Sequence, residues 1–514
     1  MSRHPQTGVH KGKSCTLPGA TAAPYSRAMT RAALHWFRDD LRLADNPALA
    51  AAIAHGPTLC LYILDEGGER RRLGGASRWW LAQSLRALQA SLREKGAELV
   101  LMRGDPAELL PKLVAAAGID LVTWSRRYEA AAIALDRGLK ETLAGAGVTV
   151  RSFNSHLLNE PWQVSSKQGE PMKVFTPYWR AARARGEPAA PEPAPQRIVP
   201  LPLPSALAGA AVDLADLGLE PTRPDWAGGL RTEWTPGEAG AAGRLGDFLS
   251  GALAGYGDGR NRPDFVSTSR LSPHLRFGEI GPRQIWHACQ TASAAGMAAG
   301  GPSDLDKFLS EIGWREFSYH LLFYNPELAT KNYNARFDAF PWGSETEALK
   351  RWQRGQTGYP LVDAGMRELW ATGWMHNRVR MVTASFLIKH LLIDWRQGED
   401  WFWDTLVDAD PASNAASWQW VAGSGADAAP YYRIFNPVTQ GEKFDPRGDY
   451  VRRWVPELAR LDTGAIHAPW QADAATLRDA GVRLGETYPR PVIDLAFGRQ
   501  RALDALATIR GAAD

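Results

Sequence analysis

With 514 residues the chain is too long for one compact core, so two domains are expected. Its formal charge of +3 supports no argument for nucleic acid by itself; a local basic groove would have to supply one. Three cysteines, Cys15, Cys60 and Cys289, lie far apart in no paired spacing, which excludes a disulfide framework, a zinc ribbon and a four-cysteine iron–sulfur site and suits a reduced, cytoplasmic protein with no metal.

In chain order, residues 1–28 carry four Lys/Arg, no acid and many Gly, Pro, Ser and Thr, and are expected to be disordered. No apolar core follows this basic start as a secretory signal would require, and no apolar run reaches the length of a membrane span. Apolar runs of strand length follow at 33–37, 58–64, 98–102, 120–124 and 149–153, with helical periodicity between them. Asn46-Pro47 ahead of ALAAAIAHG is a cap-plus-first-turn signal. Such alternation predicts a doubly wound parallel sheet covered by helices, a Rossmann-like α/β domain. No G-x-G-x-x-G follows the first strand, so a dinucleotide in the usual crevice is not indicated.

From about Ser155 the alternation stops. Nine prolines lie between Pro188 and Pro224, and 187–235 has no sustained period, so it is expected to wrap the surface as a connector rather than form core. Helical patterning resumes near Glu238 and continues nearly to the end, with no internal repeat.

The second half holds the chemistry. In YGDGRNRPDFVSTSRLSPHLRFGEIGPRQI (256–285), Ser267-Thr268-Ser269 and Ser272 surround Arg270 before a helix start: hydroxyls, free N–H groups and an arginine suit a diphosphate, although such clusters more often cap helices. In DKFLSEIGWREFSYHLLFYNP (306–326), Glu311, Trp314 and Arg315 share one sector of a helix, which a structural Glu–Arg pair would also explain. Between Thr372 and Asp445, eight tryptophans or tyrosines stand among Asn377, Arg378, Arg380, Asp408, Asp410, Asn414 and Arg433. Apolar positions from Met375 through Val379, Val382 and Phe386 to Leu392 recur at three- and four-residue steps, predicting one amphipathic helix over 375–394. Its polar groups, if buried, need partners: one another or a large polar ligand. Tryptophan is the outlier of the composition, 21 in all with 13 from Trp286 onward, though most of any such set is core.

These motifs, in this order and joined by HWFRDDLRLADNPAL (35–49), resemble the photolyase and cryptochrome family over about 32–490, most nearly the bacterial class I cyclobutane pyrimidine dimer photolyases. The resemblance implies an α/β antenna domain (30–155), a connector (156–236), a larger all-α FAD-binding domain (237–490) and a C-terminal helix or tail (491–514). It makes Met29 the expected start, with a transit peptide as the alternative. It assigns the flavin pocket to Tyr256, Thr268, Ser269, Arg270, Leu271, Ser272, Phe308, Glu311, Arg315, Asn377, Arg380, Asp408, Asp410 and Asn414, with Asn414 at flavin N5. Glu311, Trp314, Asn377, Met381 and Trp420 are expected at the lesion, Glu311 as a protonated donor kept neutral by apolar rings. Arg260, Arg378 and Arg433, beside Trp314, are expected to face UV-damaged DNA. Trp418, Trp395 and Trp342 match the family's electron-transfer chain. The implied cofactors are FAD, reduced and anionic, and an antenna, methenyltetrahydrofolate or deazaflavin, whose identity Arg127 and Ala130-Ala131-Ala132 leave open. A monomer is expected. The alternatives are a cryptochrome photosensor and a (6-4) or single-strand-type photolyase; Asn377 and Met381 stand where the (6-4) type would want two histidines.

Overall fold

The computed structural model describes residues 31–68, 70–428 and 432–511, so the expected disorder of 1–28 and the start at Met29 lie outside the described residues. Five parallel strands, β1 (Ala33–Phe37), β2 (Thr58–Leu64), β3 (Leu99–Arg103), β4 (Leu121–Ser125) and β5 (Thr149–Phe153), form one sheet in the order β3-β2-β1-β4-β5. The two-residue side-chain period divides β2 between two cores. Cys60, Tyr62 and Leu64 pack with Trp79, Trp80 and Leu85 of helix α2 (Gly75–Glu94), with α1 (Pro47–His55) preceding β2. Leu59, Leu61 and Ile63 pack with Leu113 of α3 (Pro106–Ala117) and Leu139 of α4 (Ala130–Gly145). Burial on both faces is why β1, β2 and β4 read as mostly apolar runs, broken only by buried His35, Thr58, Thr123 and Ser125. Asn46 caps α1 as its sequence predicts, accepting from the Leu49 N–H at 3.0 Å.

Two expectations are corrected. The connector is not merely a surface wrap: Ile198, Leu217, Leu219, Leu230 and Trp234 are buried in the α2 core, and Thr58 exchanges backbone bonds with Val199 and Leu201. These anchors are irregularly spaced, so they leave no period to detect. Nor is 375–394 one helix. It begins at Asn377 behind an N-cap His376, runs to Ser385, opens into a π turn at Phe386–His390 and ends before Leu392, whose φ is 60°. The wide turn buries Lys389, whose ammonium donates to the Arg433 carbonyl at 2.6 Å, and the apolar residues on either side of it, Phe386, Leu387, Ile388 and Leu391, hide the break from a periodicity argument.

The remaining chain is helical through a last helix at Leu495–Gly511. Among the described residues no helix is long and apolar enough to cross a membrane. The 35–49 signature locks the two halves together. Arg42 donates to the carbonyls of Gly278 and Ser155, both at 2.9 Å. Glu238 accepts from the Leu43 and Ala44 N–H groups at 2.9 and 3.0 Å, and Asp39 pairs with Arg276 at 3.2 Å. Gly278 has φ 65° and lies against the Asp39 carbonyl, where any Cβ would collide.

Candidate functional site

Two clefts in the helical half are lined by nine of the residues singled out above. The first lies between helices Asn377–Ser385, Trp395–Thr405 and Ser413–Ala422, an open cleft of about 530 Å³ that is partly solvent-facing. Asn377 and Met381, one helical turn apart, share its wall with Arg380, Asp408, Asn414 and Trp418. Arg380 is fixed twice: its guanidinium donates to Asp408 at 2.8 Å and its Nε to the Met375 carbonyl at 2.7 Å. Asn414 gives both amide hydrogens to Glu399, at 3.1 Å to its carbonyl and 2.8 Å to its carboxylate. Asp410 differs from expectation. It caps the next helix, accepting from the Ala412 and Ser413 N–H groups at 3.0 and 2.7 Å and from the Tyr319 hydroxyl at 2.6 Å, and does not line the cleft.

The second cleft, about 1050 Å³, is lined by Thr268, Ser269 and Arg270 together with Arg244, Arg453 and Glu233. Arg270 adopts φ 49°, pairs with Glu233 and lies 4.5 Å over the Trp374 ring. Trp374 also faces Arg380 at 5.8 Å and donates to the Ser272 hydroxyl at 3.4 Å, so it forms the partition between the clefts. Leu271 is buried just ahead of helix Ser272–Arg276. Tyr256 and Phe308 stand behind the wall, in a buried aromatic group with Phe248. Burial, then Arg270, Arg378, Arg380 and Arg260, push the His376 imidazole down to about 3. It is therefore neutral, and its buried Nε2 has no protein partner. Hydroxyls, arginines, an orphaned polar atom and an acid–amide cleft fit a flavin dinucleotide laid across both clefts. Arg315 lies apart from them, donating to the His156 carbonyl at 2.7 Å and so holding the connector.

The residues expected to meet a lesion occupy one neighbourhood, with one correction. Glu311 is 26% exposed and pairs with Arg260 and, at 3.7 Å, Lys307, rather than lying between apolar rings. Trp314 stacks on Phe175 at 3.8 Å. Trp420 donates to the Asp427 carbonyl at 2.9 Å, and the Asp427 carboxylate accepts from the Phe175 N–H at 3.3 Å, linking the two aromatic sites. Burial and the charges of Arg260 and Arg433 depress the Arg378 guanidinium, so these three arginines share one face; Arg378 donates to Asn261 at 2.6 Å and Arg433 lies 5.9 Å over Phe435.

Of the three tryptophans, Trp418 presses on Gly398, one turn along the helix that Trp395 begins. Trp395 donates to Asn332 at 2.9 Å, and a bridge between Gly343 and Ile393 brings the Trp342 segment alongside. Two rings meet Trp418 edge-on, Phe402 at 5.0 Å and Trp352 at 6.3 Å. Sequence reasoning missed Trp374, Trp352, Glu399 and the arginines Arg71, Arg244 and Arg453; the glycine three residues after Trp395 was the one available hint. Among the described residues no cluster of His, Cys, Asp and Glu could hold a metal.

Known proteins resemble the chain over nearly its whole length. Residues 308–508 match the profile of the FAD binding domain of DNA photolyase, and 33–196 that of DNA photolyase. A deoxyribodipyrimidine photo-lyase of Agrobacterium fabrum is 53% identical over 92% of this chain and 97% of its own length. Cryptochrome-1 of Arabidopsis thaliana is 39% identical over 92% of this chain and 70% of its own. A solved bacterial class III photolyase from Agrobacterium tumefaciens superposes with a TM-score of 0.90 at 51% identity, covering 95% of this chain and all of the other. A Synechocystis cryptochrome superposes at 0.82 with 28% identity, covering 92% and 99%. The chain belongs, as an enzyme, to the DNA photolyase family, carries that family's FAD-binding domain and is related to its cryptochromes.

Proposed function

We propose that the chain repairs cyclobutane pyrimidine dimers in UV-damaged DNA by light-driven electron transfer to a lesion flipped out of the helix. The observation that supports this most is the single wall shared by Asn377, Met381, Arg380, Asp408 and Asn414, flanked by the basic face of Arg260, Arg378 and Arg433. A reduced, anionic FAD, when bound, supplies the photoexcited electron that opens the cyclobutane ring. The protein's part is to bind, orient and exclude water. Arg380 and Asp408 hold each other as a fixed polar pair, Met381 and Phe402 keep the cleft dry, and Asn377 offers an amide to the pyrimidine carbonyls. Trp314 and Trp420 offer flat surfaces for bases that already stack poorly. Arg260, Arg378 and Arg433 supply salt-sensitive affinity for phosphates. In the resting pair Arg260 donates to Glu311; displacement of that pair by an entering lesion would leave Arg260 as the charged donor nearest the base carbonyls.

A cleft of about 1400 Å³ between the halves, lined by Arg70, Glu129, Arg276, Arg396 and Trp403, is the place we assign to an antenna, folate or deazaflavin. It opens on the loops that follow β2 and β4, at the carboxyl ends of the strands. The test is illumination of the reduced protein with two oligonucleotides, one bearing a thymine dimer and one a (6-4) product. Restored thymines in the first alone support the reading. Repair of the second, or of neither with flavin bound, contradicts it.

A further inference from the structure

The geometry points to Arg71, on the loop between β2 and α2 in the α/β half, as a positioning residue for the amide of the first cleft: Arg71 fixes Glu399, Glu399 fixes Asn414, and the amide oxygen is thereby turned to the cleft. This rests on reading that cleft as the flavin-ring site. Arg71 spans two neighbouring carboxylates, donating to Glu399 at 2.8 Å and Asp400 at 2.5 Å, and lies 4.3 Å over the Trp403 ring. Its loop is held on the same helix by three further bonds. Trp403 Nε1 donates to the Arg72 carbonyl at 2.8 Å, the Gly75 N–H to Asp404 at 2.8 Å, and the Ser77 hydroxyl to the Leu406 carbonyl at 3.1 Å. A Cβ at Gly74 would strike the Trp403 carbonyl, so the approach is close.

Glu399 is the hinge of the chain of contacts. Its side chain is 3% exposed against 34% for Arg71, and one oxygen, Oε1, accepts from both Arg71 and Asn414. Burial raises its pKa; Arg71 and the Asn414 amide oppose that, and Asp400 adds to it. Arg70, Arg396 and Glu129 line the cleft on its outer side. While Glu399 is ionised it can only accept, so both Asn414 hydrogens turn toward it and Asn414 presents an acceptor to the cleft. An acceptor there favours a ligand that carries an N–H at that position, as the reduced flavin ring does at N5 and the oxidised ring does not. Without Arg71 the buried carboxyl takes up a proton more readily. It can then donate to the Asn414 oxygen and, at the cost of the Asn414 bond to the Glu399 main-chain carbonyl, let the amide turn its N–H groups inward, reversing the preference.

The experiment compares Arg71→Met, Arg71→Lys and Glu399→Gln with the wild type, titrating each apoprotein with oxidised and with reduced FAD over a range of pH. The Asn414 amide orientation is read from crystal structures of the unliganded forms. Arg71→Met is expected to lower the preference for reduced over oxidised FAD about tenfold, the worth of one hydrogen bond, more so as pH falls. Arg71→Lys should restore most of the preference, and Glu399→Gln, which cannot ionise, should abolish its pH dependence. An Arg71→Met protein with lowered melting temperature but wild-type preference, pH profile and amide orientation would show that Arg71 only docks the halves, and overturns the inference while leaving the flavin reading intact. A wild-type chain that takes up no flavin overturns both.

Discussion

At the scale of single residues, the Arg260–Glu311 pair decides how a damaged base can be received. The pair neutralises a carboxylate that would otherwise repel DNA phosphates, and Lys307 adds to it. Glu311→Gln keeps the size and removes the charge. It should leave damaged-DNA binding within about threefold, the scale of one partly buried surface pair, and lower repair yield by about tenfold or more, because the carboxylate orients Arg260 toward the lesion. Competition binding and repaired thymines per absorbed photon measure the two separately. Glu368, which accepts from Tyr450 at 2.6 Å, presents a pH effect. Burial raises its carboxyl from 4.5 to about 7. Between these values the folded chain holds a proton that the unfolded chain has released, so stability falls as pH rises through that window and is level above it. Glu368→Gln should flatten the slope in urea denaturation of the apoprotein and raise stability at alkaline pH by an amount on the order of 2–3 kcal/mol.

At the scale of elements, the helix Trp395–Thr405 is a spine with two faces. One, through Gly398, receives Trp418; the other, through Glu399, Asp400 and Trp403, receives the α/β half. A Cβ at position 398 would collide with the Trp418 ring, and overpacking of this kind costs roughly 1–3 kcal/mol. We expect Gly398→Ala to show that loss in denaturation. It should also slow light-driven reduction of an oxidised cofactor while leaving repair by chemically reduced protein largely intact; transient absorption and a repair assay check the two limbs. Much of this half was legible in outline. Helical spacing alone put Asn377 and Met381 one turn apart, and both line the cleft. The π turn at 386–390 was not legible, because Phe386, Leu387, Ile388 and Leu391 keep an apolar residue at nearly every step and no period registers the extra residue. Asp408 and Asp410 look alike in sequence, yet one faces Arg380 and the other caps a helix, a difference decided by a single backbone turn.

At the scale of the whole molecule, the strands were legible because β1, β2 and β4, buried on both faces, are mostly apolar short runs, and β3 and β5 keep the same alternation with helices. Two were expected one residue early, at 98–102 and 120–124. What sequence could not carry is the joint between the halves, since Arg42, Asp39 and Glu238 bond to groups far away in the chain. Arg42 is fully buried and bonded to carbonyls on both sides of that joint. Arg42→Ala should leave these carbonyls unpaired, lower stability by about 3 kcal/mol or more, and split a single calorimetric transition into two. The proposal that the helical half places a reduced flavin beside a flipped-out dimer is tested most directly by one measurement: chemically reduced protein, mixed with an equal amount of dimer-bearing oligonucleotide, is given one saturating near-UV flash without oxygen, and intact thymines are counted. Thymines restored in proportion to bound flavin are the predicted result. Dimers that persist while the flavin is bound, reduced and absorbing would contradict the account.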